Sequence, residues 1–271
     1  MPEAKLAALR LSLAKLPGAI VAYSGGADSA FLAEVAHEVL QERCLAVTAD
    51  SASLPRSELH EAIQLAVDRG WRHEMVATDE LNDERYAANP TNRCYFCKSA
   101  LFDRLEDMSL RLGWPVLLGT NSDDLSDWRP GQKASQERGG LHPMVDAGLT
   151  KDEIRSLSKE MGLVTADKPA SACLASRFAY GVRVTSAGLE RIERAEAWMH
   201  SQNYPIVRIR DLGKDRARVE VDPKDVARAS NQSNEIERQL LALGFCEVMV
   251  DPVGYRQGAL NEVLIPLGVS R

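Results

Sequence analysis

The stretch Ser24-Gly25-Gly26-Ala27-Asp28-Ser29 follows the apolar run 19–23 and opens a helical pattern that begins near Asp28. The apolar run predicts a buried strand, so the glycines lie in a turn between a strand and a helix. Glycine lets the backbone approach an anion closely, and the N–H groups and dipole of a helix N-terminus attract it. The lysine of the Gly-x-x-x-x-Gly-Lys-Ser/Thr loop does not occur in this stretch. We therefore predict a phosphate-binding turn of a different type; the alternative is a Gly-rich turn without a ligand.

Strand and helix patterns alternate through the first half of the chain. Strand-like runs occupy 19–23, 44–48, 73–77 and 116–119, and helical patterns occupy 28–41, 57–69 and 95–112. This order predicts an α/β fold in which a parallel sheet carries helices on both faces. Ligands of such sheets bind at the carboxyl ends of the strands. Ser24, Asp50 and Thr120 each follow a strand, so we expect them to meet at one crevice.

The second half of the chain has a different order of elements. Residues 121–140 are polar and predict a long loop, and Thr150-Lys151-Asp152-Glu153 is a capping box that starts a helix ending near Gly162. Irregular chain is expected over 168–181. After it come a helix over 185–200, strands over 205–210 and 217–221, a helix from Asp222-Pro223 to about Leu243, and a strand over 246–250. This order predicts a smaller α+β domain, with the domain boundary near residue 180.

Composition limits the class of protein. The chain has 271 residues, 45% of them hydrophobic, and a net charge of −6, so it can form real cores but has no general attraction for nucleic acid. It contains no apolar run of the roughly 20 residues that cross a bilayer, and its first residues predict an amphipathic helix rather than a signal peptide. Five cysteines, an odd number, suit a reducing compartment. We expect a cytoplasmic homo-oligomer that binds neither membranes nor nucleic acid.

Three of the cysteines lie in segments suited to chemistry. Cys94 and Cys97 form a C-x-x-C pair at the start of a helix, and Cys173 lies in the irregular segment. The pair suits half of a zinc site, a redox pair or two cluster ligands. Three thiolates suit a [4Fe–4S] cluster with one open iron, whereas zinc would need a water or His142 as its fourth ligand. We expect His142 to lie at the surface.

The other two cysteines, Cys44 and Cys246, each open a strand, and we expect both to be small core residues.

The Ser24–Ser29 stretch resembles the loop of the PP-loop ATP pyrophosphatases, and further stretches resemble the LarE family of sulfur transferases in nickel-pincer nucleotide synthesis. These stretches are Tyr23 to Ser29, Ala46 to Ser51, Asn92 to Lys98, Gly119 to Asp124, Asp127 to Gly131, Cys173 to Arg177 and Asp251 to Arg256. The PP-loop is shared by many ligases and thiolases, so the C-L-A-S-R and R-P-G elements are the specific part. The resemblance implies a PP-loop adenylating domain over 1–180 and a smaller α+β sulfur-transferase domain over 181–271.

The resemblance also implies a reaction. ATP adenylates a carboxylate of pyridinium-3,5-biscarboxylic acid mononucleotide and releases pyrophosphate, and sulfur then displaces AMP to give a thiocarboxylate. Members with one cysteine at the position of Cys173 give up its sulfur and keep dehydroalanine. Members with three cysteines hold a [4Fe–4S] cluster that carries a transferable sulfide. This chain has Cys94, Cys97 and Cys173, which favours the cluster route and leaves sulfur loss from Cys173 open.

Residue roles follow from the resemblance and from side-chain chemistry. Ser24, Gly25, Gly26, Asp28 and Ser29 are expected to hold pyrophosphate, with Asp50 and Thr120 nearby and Mg²⁺ close to Asp28. Ser176, Arg177, Arg208 and Arg210 are expected at the phosphate of the pyridinium mononucleotide, because arginine binds phosphate bidentately. Trp128 is a candidate to stack on the pyridinium ring, and Glu220 and Asp251 are candidates to orient substrate or a metal. An exposed strand face and ordinary surface acids are the alternatives for Arg208, Arg210, Glu220 and Asp251.

Cys173 is a candidate nucleophile independently of any metal. The charge of the nearby Arg177 favours its thiolate, and a thiolate attacks an adenylated acyl group readily. The alternative is a cysteine buried under a loop.

Three other functions stay open at this point. A cluster-dependent tRNA thiolase would use the same loop and cysteines together with the basic residues of the second domain. An ammonia-using ligase similar to NAD synthase would need the loop without the cysteines. A regulatory module that binds ATP or zinc would not release pyrophosphate. A sulfur transferase also needs a source of sulfur, which is sulfide or another donor.

Overall fold

The computed structural model describes residues 1–126, 130–169 and 171–256, without the side chains of Ser126 and Pro130. Two compact units divide the chain: the first comprises Met1–Glu80 and Cys94–Ser171, and the second comprises Leu81–Arg93 and the chain from Ala172 onward. The second unit is therefore built from two separate pieces of sequence. The boundary between the two functional domains, expected near residue 180, is a separate division of the chain and stays a prediction.

Each unit has its own set of elements. The first unit contains α1 (Pro2–Ala14), β1 (Ala19–Ala22), α2 (Ala27–Leu40), β2 (Cys44–Asp50), α3 (Arg56–Asp68), β3 (His73–Ala77), α5 (Arg93–Leu112, its first residue excepted), β4 (Val116–Leu118), α6 (Pro130–Glu137), α7 (Pro143–Asp146) and α8 (Lys151–Glu160). The second contains α4 (Glu84–Ala87), α9 (Ser186–Ser201), β5 (Val207–Asp211), β6 (Arg216–Val221), α10 (Val226–Asn231), α11 (Ser233–Ala242) and β7 (Glu247–Val250). Within the described ranges, no helix has the length and apolar character needed to cross a bilayer.

The sheet of the first unit is parallel throughout, with the strand order β3-β2-β1-β4. Alternation along β1 decides which side chain faces which layer of helices. Val21 packs in one cluster with residues of α1, α2, α3 and α8, whereas Ile20 packs with Phe102 and Leu105 of α5 on the other side. Full burial of such side chains contributes about 1.5–3 kcal/mol each. The predicted α/β class, with helices on both faces, is confirmed.

The second unit has a three-stranded sheet in the order β5-β6-β7. β5 and β6 are antiparallel, with Ile209 opposite Val219, and β7 is parallel to β6. The predicted smaller α+β fold is confirmed. The helix expected from residue 222 to about residue 243 is instead interrupted at Gln232, which separates α10 from α11. Its side-chain oxygen accepts a hydrogen bond of 2.6 Å from the hydroxyl of Tyr204.

The predicted long loop over 121–140 is wrong in part, because α6 forms within it. The polar composition that suggested a loop also suits a solvent-facing helix. Contacts with α5 favour the helical state: the Tyr95 hydroxyl donates to Glu137 at 2.6 Å, and Arg138, which follows α6, lies 2.6 Å from Asp103. Gly131 lies so close to α5 that a Cβ there would be 3.4 Å from the carbonyl oxygen of Cys94.

A group of rings between α2 and the sheet should make the first unit sensitive to acid. His37 stacks on Trp71, with ring centroids 5.7 Å apart, and His73 Nε2 lies 2.9 Å from Thr48 Oγ1. Burial lowers the pKa of both histidines below the ordinary value near 6.5. The unfolded chain therefore takes up protons that the folded chain does not, and the free energy of unfolding should fall as the pH drops below about 6.5.

Urea unfolding at pH 7.5 and pH 5.5 checks this prediction. His37→Gln and His73→Gln should each reduce the difference in unfolding free energy between the two pH values. His60→Gln, at an exposed position, is the control and should leave the difference unchanged. A difference that is the same in all variants would contradict the prediction.

Candidate functional site

The loop after β1 requires glycine at Gly25. Its φ is +74°, in the left-handed region, and a Cβ there would lie 2.9 Å from the Cβ of Ala62 on α3. The next residue, Gly26, is the N-cap of α2 and has no side chain to cap the first helical N–H groups. Those N–H groups are therefore available to an anion at the positive end of the helix.

Two serine hydroxyls hold this loop in shape. Ser29 Oγ accepts from the backbone N–H of Ser24 at 3.2 Å, lies 3.1 Å from Ser24 Oγ and donates to the Gly26 carbonyl at 3.1 Å. Ser29 is buried and Ser24 is exposed, so the pair fixes the turn from inside while one hydroxyl faces outward.

The end of β4 lies directly against this loop. A Cβ on Gly119 would be 2.9 Å from both the N and the Cα of Ser29. Thr120 is the next residue after Gly119, so it lies beside the loop, as the strand order predicted. Asp50 ends β2 at the same edge of the sheet, but its carboxylate is 2.5 Å from Arg56 Nη1 and half-exposed.

Lys151 brings a positive charge beside the loop, a position that the sequence did not suggest. Its ammonium lies 2.5 Å from Asp28 Oδ2, and its backbone N–H donates to Asp123 at 2.8 Å. The predicted capping box of Thr150 and Glu153 is present and fixes the start of α8 at this point. In the sequence, the only signal was that lysine follows the cap directly.

Asp28 fits a magnesium ion. Its Oδ1 is buried and has no hydrogen-bond partner among the described residues, while Oδ2 is held by Lys151. Mg²⁺ prefers such carboxylate oxygens together with phosphate oxygens.

His142 is not the surface residue we expected. Its Nδ1 lies 2.9 Å from Thr120 Oγ1, and its Nε2 is buried with no hydrogen-bond partner in the described part of the chain. Burial lowers the pKa of this imidazole, the charge of Asp146 raises it, and that of Lys98 lowers it further.

Cys94 and Cys97 lie in the first turns of α5, three residues apart and thus on one face. Cys94 is exposed and Cys97 is half-buried. Burial lowers the pKa of the adjacent Lys98, while the charges of Cys97 and Cys94 oppose this shift. Cys173 is half-buried and precedes the one-turn 3-10 helix Leu174–Arg177 in the second unit.

The two cysteines expected in the core differ. Cys44 is buried, and burial raises the pKa of its thiol to about 12, as expected for a core residue. Cys246 is exposed, and its thiol donates to the carbonyl of Lys214 at 2.9 Å, so that expectation is wrong. Cys246 precedes β7 rather than lying within it, so the strand does not carry its side chain into the core.

The cluster ligands proposed from the sequence are divided between the units. Within the described ranges, no three His, Cys, Asp or Glu side chains form a group that could hold a metal ion. Cys94 and Cys97 belong to the first unit and Cys173 to the second, so neither unit alone contains the set. All three are thiols without a disulfide, and such a donor set fits iron–sulfur chemistry.

A buried ion pair organises the segment around Cys173. The Arg177 guanidinium makes two bonds of 2.9 Å to Glu196, and the two side chains are only 4% and 8% exposed. Arg177 Nη1 also donates to the carbonyls of Ala172 and Cys173, at 2.5 and 3.1 Å. Glu196, which the sequence did not single out, also accepts from the backbone N–H of Ile209 at 3.0 Å.

A second buried pair lies in the β5–β6 sheet. Arg210 Nε is 2.8 Å from Glu220, which also accepts from Arg218 at 2.9 Å. Arg210 further donates to the Ser176 carbonyl at 3.1 Å. Asp251 accepts from the N–H groups of the following turn, at 2.8 and 3.1 Å. Glu220 and Asp251 are therefore engaged within the unit rather than being ordinary surface acids.

Arg208 differs from the other two predicted phosphate-binding arginines. Among the described residues it has no carboxylate partner; it donates to the carbonyl of Val207 at 2.7 Å and lies over the ring of Tyr255. Burial, followed by the neighbouring charge of Arg177, lowers the pKa of Arg208. Trp128, the candidate for stacking, lies outside the described residues.

Comparison with known proteins shows which sequences this chain resembles. No family model matches the chain. It is 42% identical over 267 residues to an uncharacterized protein of Synechocystis sp., covering 97% of this chain and 99% of that one. It is 29% identical over 165 residues to a subunit of the glutamine-hydrolyzing GMP synthase of Thermoplasma volcanium, covering 56% of this chain and 53% of that one.

A third relative carries a specific name. The pyridinium-3,5-bisthiocarboxylic acid mononucleotide synthase of Lactiplantibacillus plantarum is 32% identical over 262 residues, covering 96% of this chain and 95% of that enzyme. The match runs over nearly all of both chains, and the parallel sheet with its Gly-rich loop agrees with it. The chain therefore belongs to the family of this synthase, the LarE family of the PP-loop superfamily.

Proposed function

We propose that this protein is an ATP-dependent sulfur transferase that converts a carboxylate of pyridinium-3,5-biscarboxylic acid mononucleotide into a thiocarboxylate. The observation that carries the proposal is the loop Ser24–Ser29 with Lys151 beside it, in a chain whose relative is named for the bisthiocarboxylic acid product. The similarity to part of a GMP synthase supports the use of ATP.

The first step is adenylation. A carboxylate oxygen of the substrate attacks the α-phosphorus of ATP, the bond from that phosphorus to the bridging oxygen breaks, and pyrophosphate leaves with the electron pair. In this step the N–H groups at the start of α2, the Ser24 hydroxyl and the Lys151 ammonium would stabilise the charge on pyrophosphate. Asp28 Oδ1 would hold Mg²⁺, which neutralises phosphate charge when bound.

The second step replaces AMP by sulfur at the acyl carbon. We propose Cys94, Cys97 and Cys173 as ligands of a [4Fe–4S] cluster, which supplies a transferable sulfide when bound. Cys173 can also be the donor itself: its Sγ attacks the acyl carbon and AMP leaves. Loss of the α-proton to a base with cleavage of the Cβ–Sγ bond then releases the thiocarboxylate and leaves dehydroalanine.

We propose different roles for the three arginines of the second unit. Arg208 is the candidate for the substrate phosphate because it lacks a carboxylate partner in the described chain. Arg177 and Arg210 hold the backbone of residues 172–176, including Ser176, through their donated hydrogen bonds. Glu220 and Asp251 stay proposed to orient substrate or a metal.

Cys173→Ser separates the two steps. The variant should release pyrophosphate from ATP with the biscarboxylic acid substrate at a rate close to that of the unmodified protein, and it should form no thiocarboxylate by mass spectrometry. Cys246→Ser is the control, since Cys246 lies outside the proposed site, and it should retain both activities. Thiocarboxylate formation by Cys173→Ser would contradict the sulfur step, and no pyrophosphate release by the unmodified protein would contradict the proposal as a whole.

Anaerobic reconstitution with iron and sulfide tests the cluster separately. We expect bound iron and sulfide with visible charge-transfer absorption, both lost in Cys94→Ala. Tightly bound zinc without that absorption would overturn the cluster assignment.

A further inference from the structure

His142 lies at the same edge of the first unit's sheet as the nucleotide loop. The backbone of Leu141 extends the sheet beyond β4: its N–H donates to Val116 at 2.9 Å, and its carbonyl accepts from Leu118 at 2.9 Å. His142 therefore follows a parallel strand position next to Thr120. The carboxyl edge of a parallel sheet is where ligands bind.

The imidazole of His142 has one satisfied and one unsatisfied nitrogen. Thr120 Oγ1 lies 2.9 Å from Nδ1, and its hydroxyl can donate to that nitrogen. The neutral ring then carries its proton on Nε2, which is buried and has no acceptor among the described residues. Buried donors are nearly always paired in folded proteins, so this N–H calls for an acceptor, which a bound ligand can supply.

The surroundings favour an oxygen that carries negative charge. A Cβ on Gly119 would lie only 2.9 Å from the backbone of Ser29, so Thr120 and the imidazole hydrogen-bonded to its hydroxyl lie beside the anion-binding loop. A phosphate oxygen suits an N–H donor beside a helix N-terminus.

We propose that His142 Nε2 donates a hydrogen bond to a phosphate oxygen of the bound nucleotide. This inference rests on the proposed function, because it takes ATP as the ligand of the loop. The competing role is purely structural, in which His142 only supports Thr120 through Nδ1.

Two substitutions separate these roles. In His142→Gln the amide nitrogen can replace Nε2 but not Nδ1, whereas in His142→Asn the amide can replace Nδ1 but not Nε2. If Nε2 binds phosphate, His142→Asn should slow pyrophosphate release about 100-fold, as for loss of one preorganised donor. His142→Gln should stay within about tenfold of the unmodified protein. His60→Gln is the control for a change of histidine at an exposed site.

Binding of α,β-methylene-ATP with Mg²⁺, measured by calorimetry, gives a second readout that needs no second substrate. We expect weaker binding by His142→Asn than by His142→Gln, with thermal unfolding confirming that both variants fold. The reverse order, with Asn restoring binding and Gln losing it, would overturn the proposal in favour of support for Thr120. Equal binding by both variants and the unmodified protein would also overturn it. If the analogue binds but the unmodified protein releases no pyrophosphate, the proposed function fails while the binding comparison still decides the role of His142.

Discussion

Gly119→Ala is expected to slow ATP-dependent pyrophosphate release by about 100-fold or more while the protein remains folded, the size of effect that a displacement of about 1 Å at a reacting centre produces. The added Cβ would lie 2.9 Å from the N and Cα of Ser29 and 3.2 Å from the carbonyl carbon of Asp28. All three are backbone atoms at the start of α2, so no side chain can rotate to make room. The loop or the end of β4 must move instead.

Backbone strain does not contribute to this effect. Gly119 is not in the left-handed region, so alanine is acceptable there except for the contact. Gly162→Ala is the matched control, because Gly162 has φ +68° and open space around it. That control should lose about 1 kcal/mol of stability and keep its rate of pyrophosphate release. A Gly119→Ala protein with an unchanged rate would show that the close approach of β4 to the loop is not needed for ATP use.

Glu196→Ala is expected to lower the free energy of unfolding of the second unit by about 3–5 kcal/mol, the typical cost of removing one partner of a buried ion pair. The guanidinium of Arg177 would be left 4% exposed without its carboxylate, and the N–H of Ile209 would lose its acceptor. The first loss also reaches the segment of Cys173, because Arg177 holds the carbonyls of Ala172 and Cys173.

Urea unfolding followed by circular dichroism measures this effect. Glu190→Ala, at an exposed position on the same helix α9, is the control and should change stability by less than about 0.5 kcal/mol. The double variant Arg177→Met/Glu196→Leu removes both charges and should recover much of the loss. It should still form less thiocarboxylate, because the carbonyls of Ala172 and Cys173 no longer have Arg177 as their donor. A single variant as stable as Glu190→Ala would contradict the importance of the pair.

Local patterns in the sequence predicted most of the fold. The strands of the first sheet, the capping box at Thr150 and the strands of the second unit could be predicted because each depends on neighbouring residues: apolar runs, turn residues and caps. The helix α6 could not, because its polar sequence is stabilised by α5 through Tyr95 and Asp103. Tertiary contacts of this kind override weak local preferences.

In the candidate site, too, local motifs predict some residues, whereas others depend on tertiary contacts. The glycines and serines of the loop Ser24–Ser29 are adjacent in sequence, so the motif identifies them. Lys151 and Glu196 have no such motif: Lys151 lies 123 positions from Asp28, and Glu196 lies 19 positions from Arg177. Their roles depend on which elements the fold brings together, and a single sequence does not state this.

The chain passes between the two units three times, after Glu80, after Arg93 and after Ser171. The short piece 81–93 is bonded into the second unit: Asn89 donates to Ala179 at 2.8 Å, and Arg93 donates to Ala175 at 3.0 Å. No single cut in the polypeptide can therefore release either unit whole. The second unit is discontinuous in the sequence, so it can be transplanted or expressed alone only with the piece 81–93 restored to it.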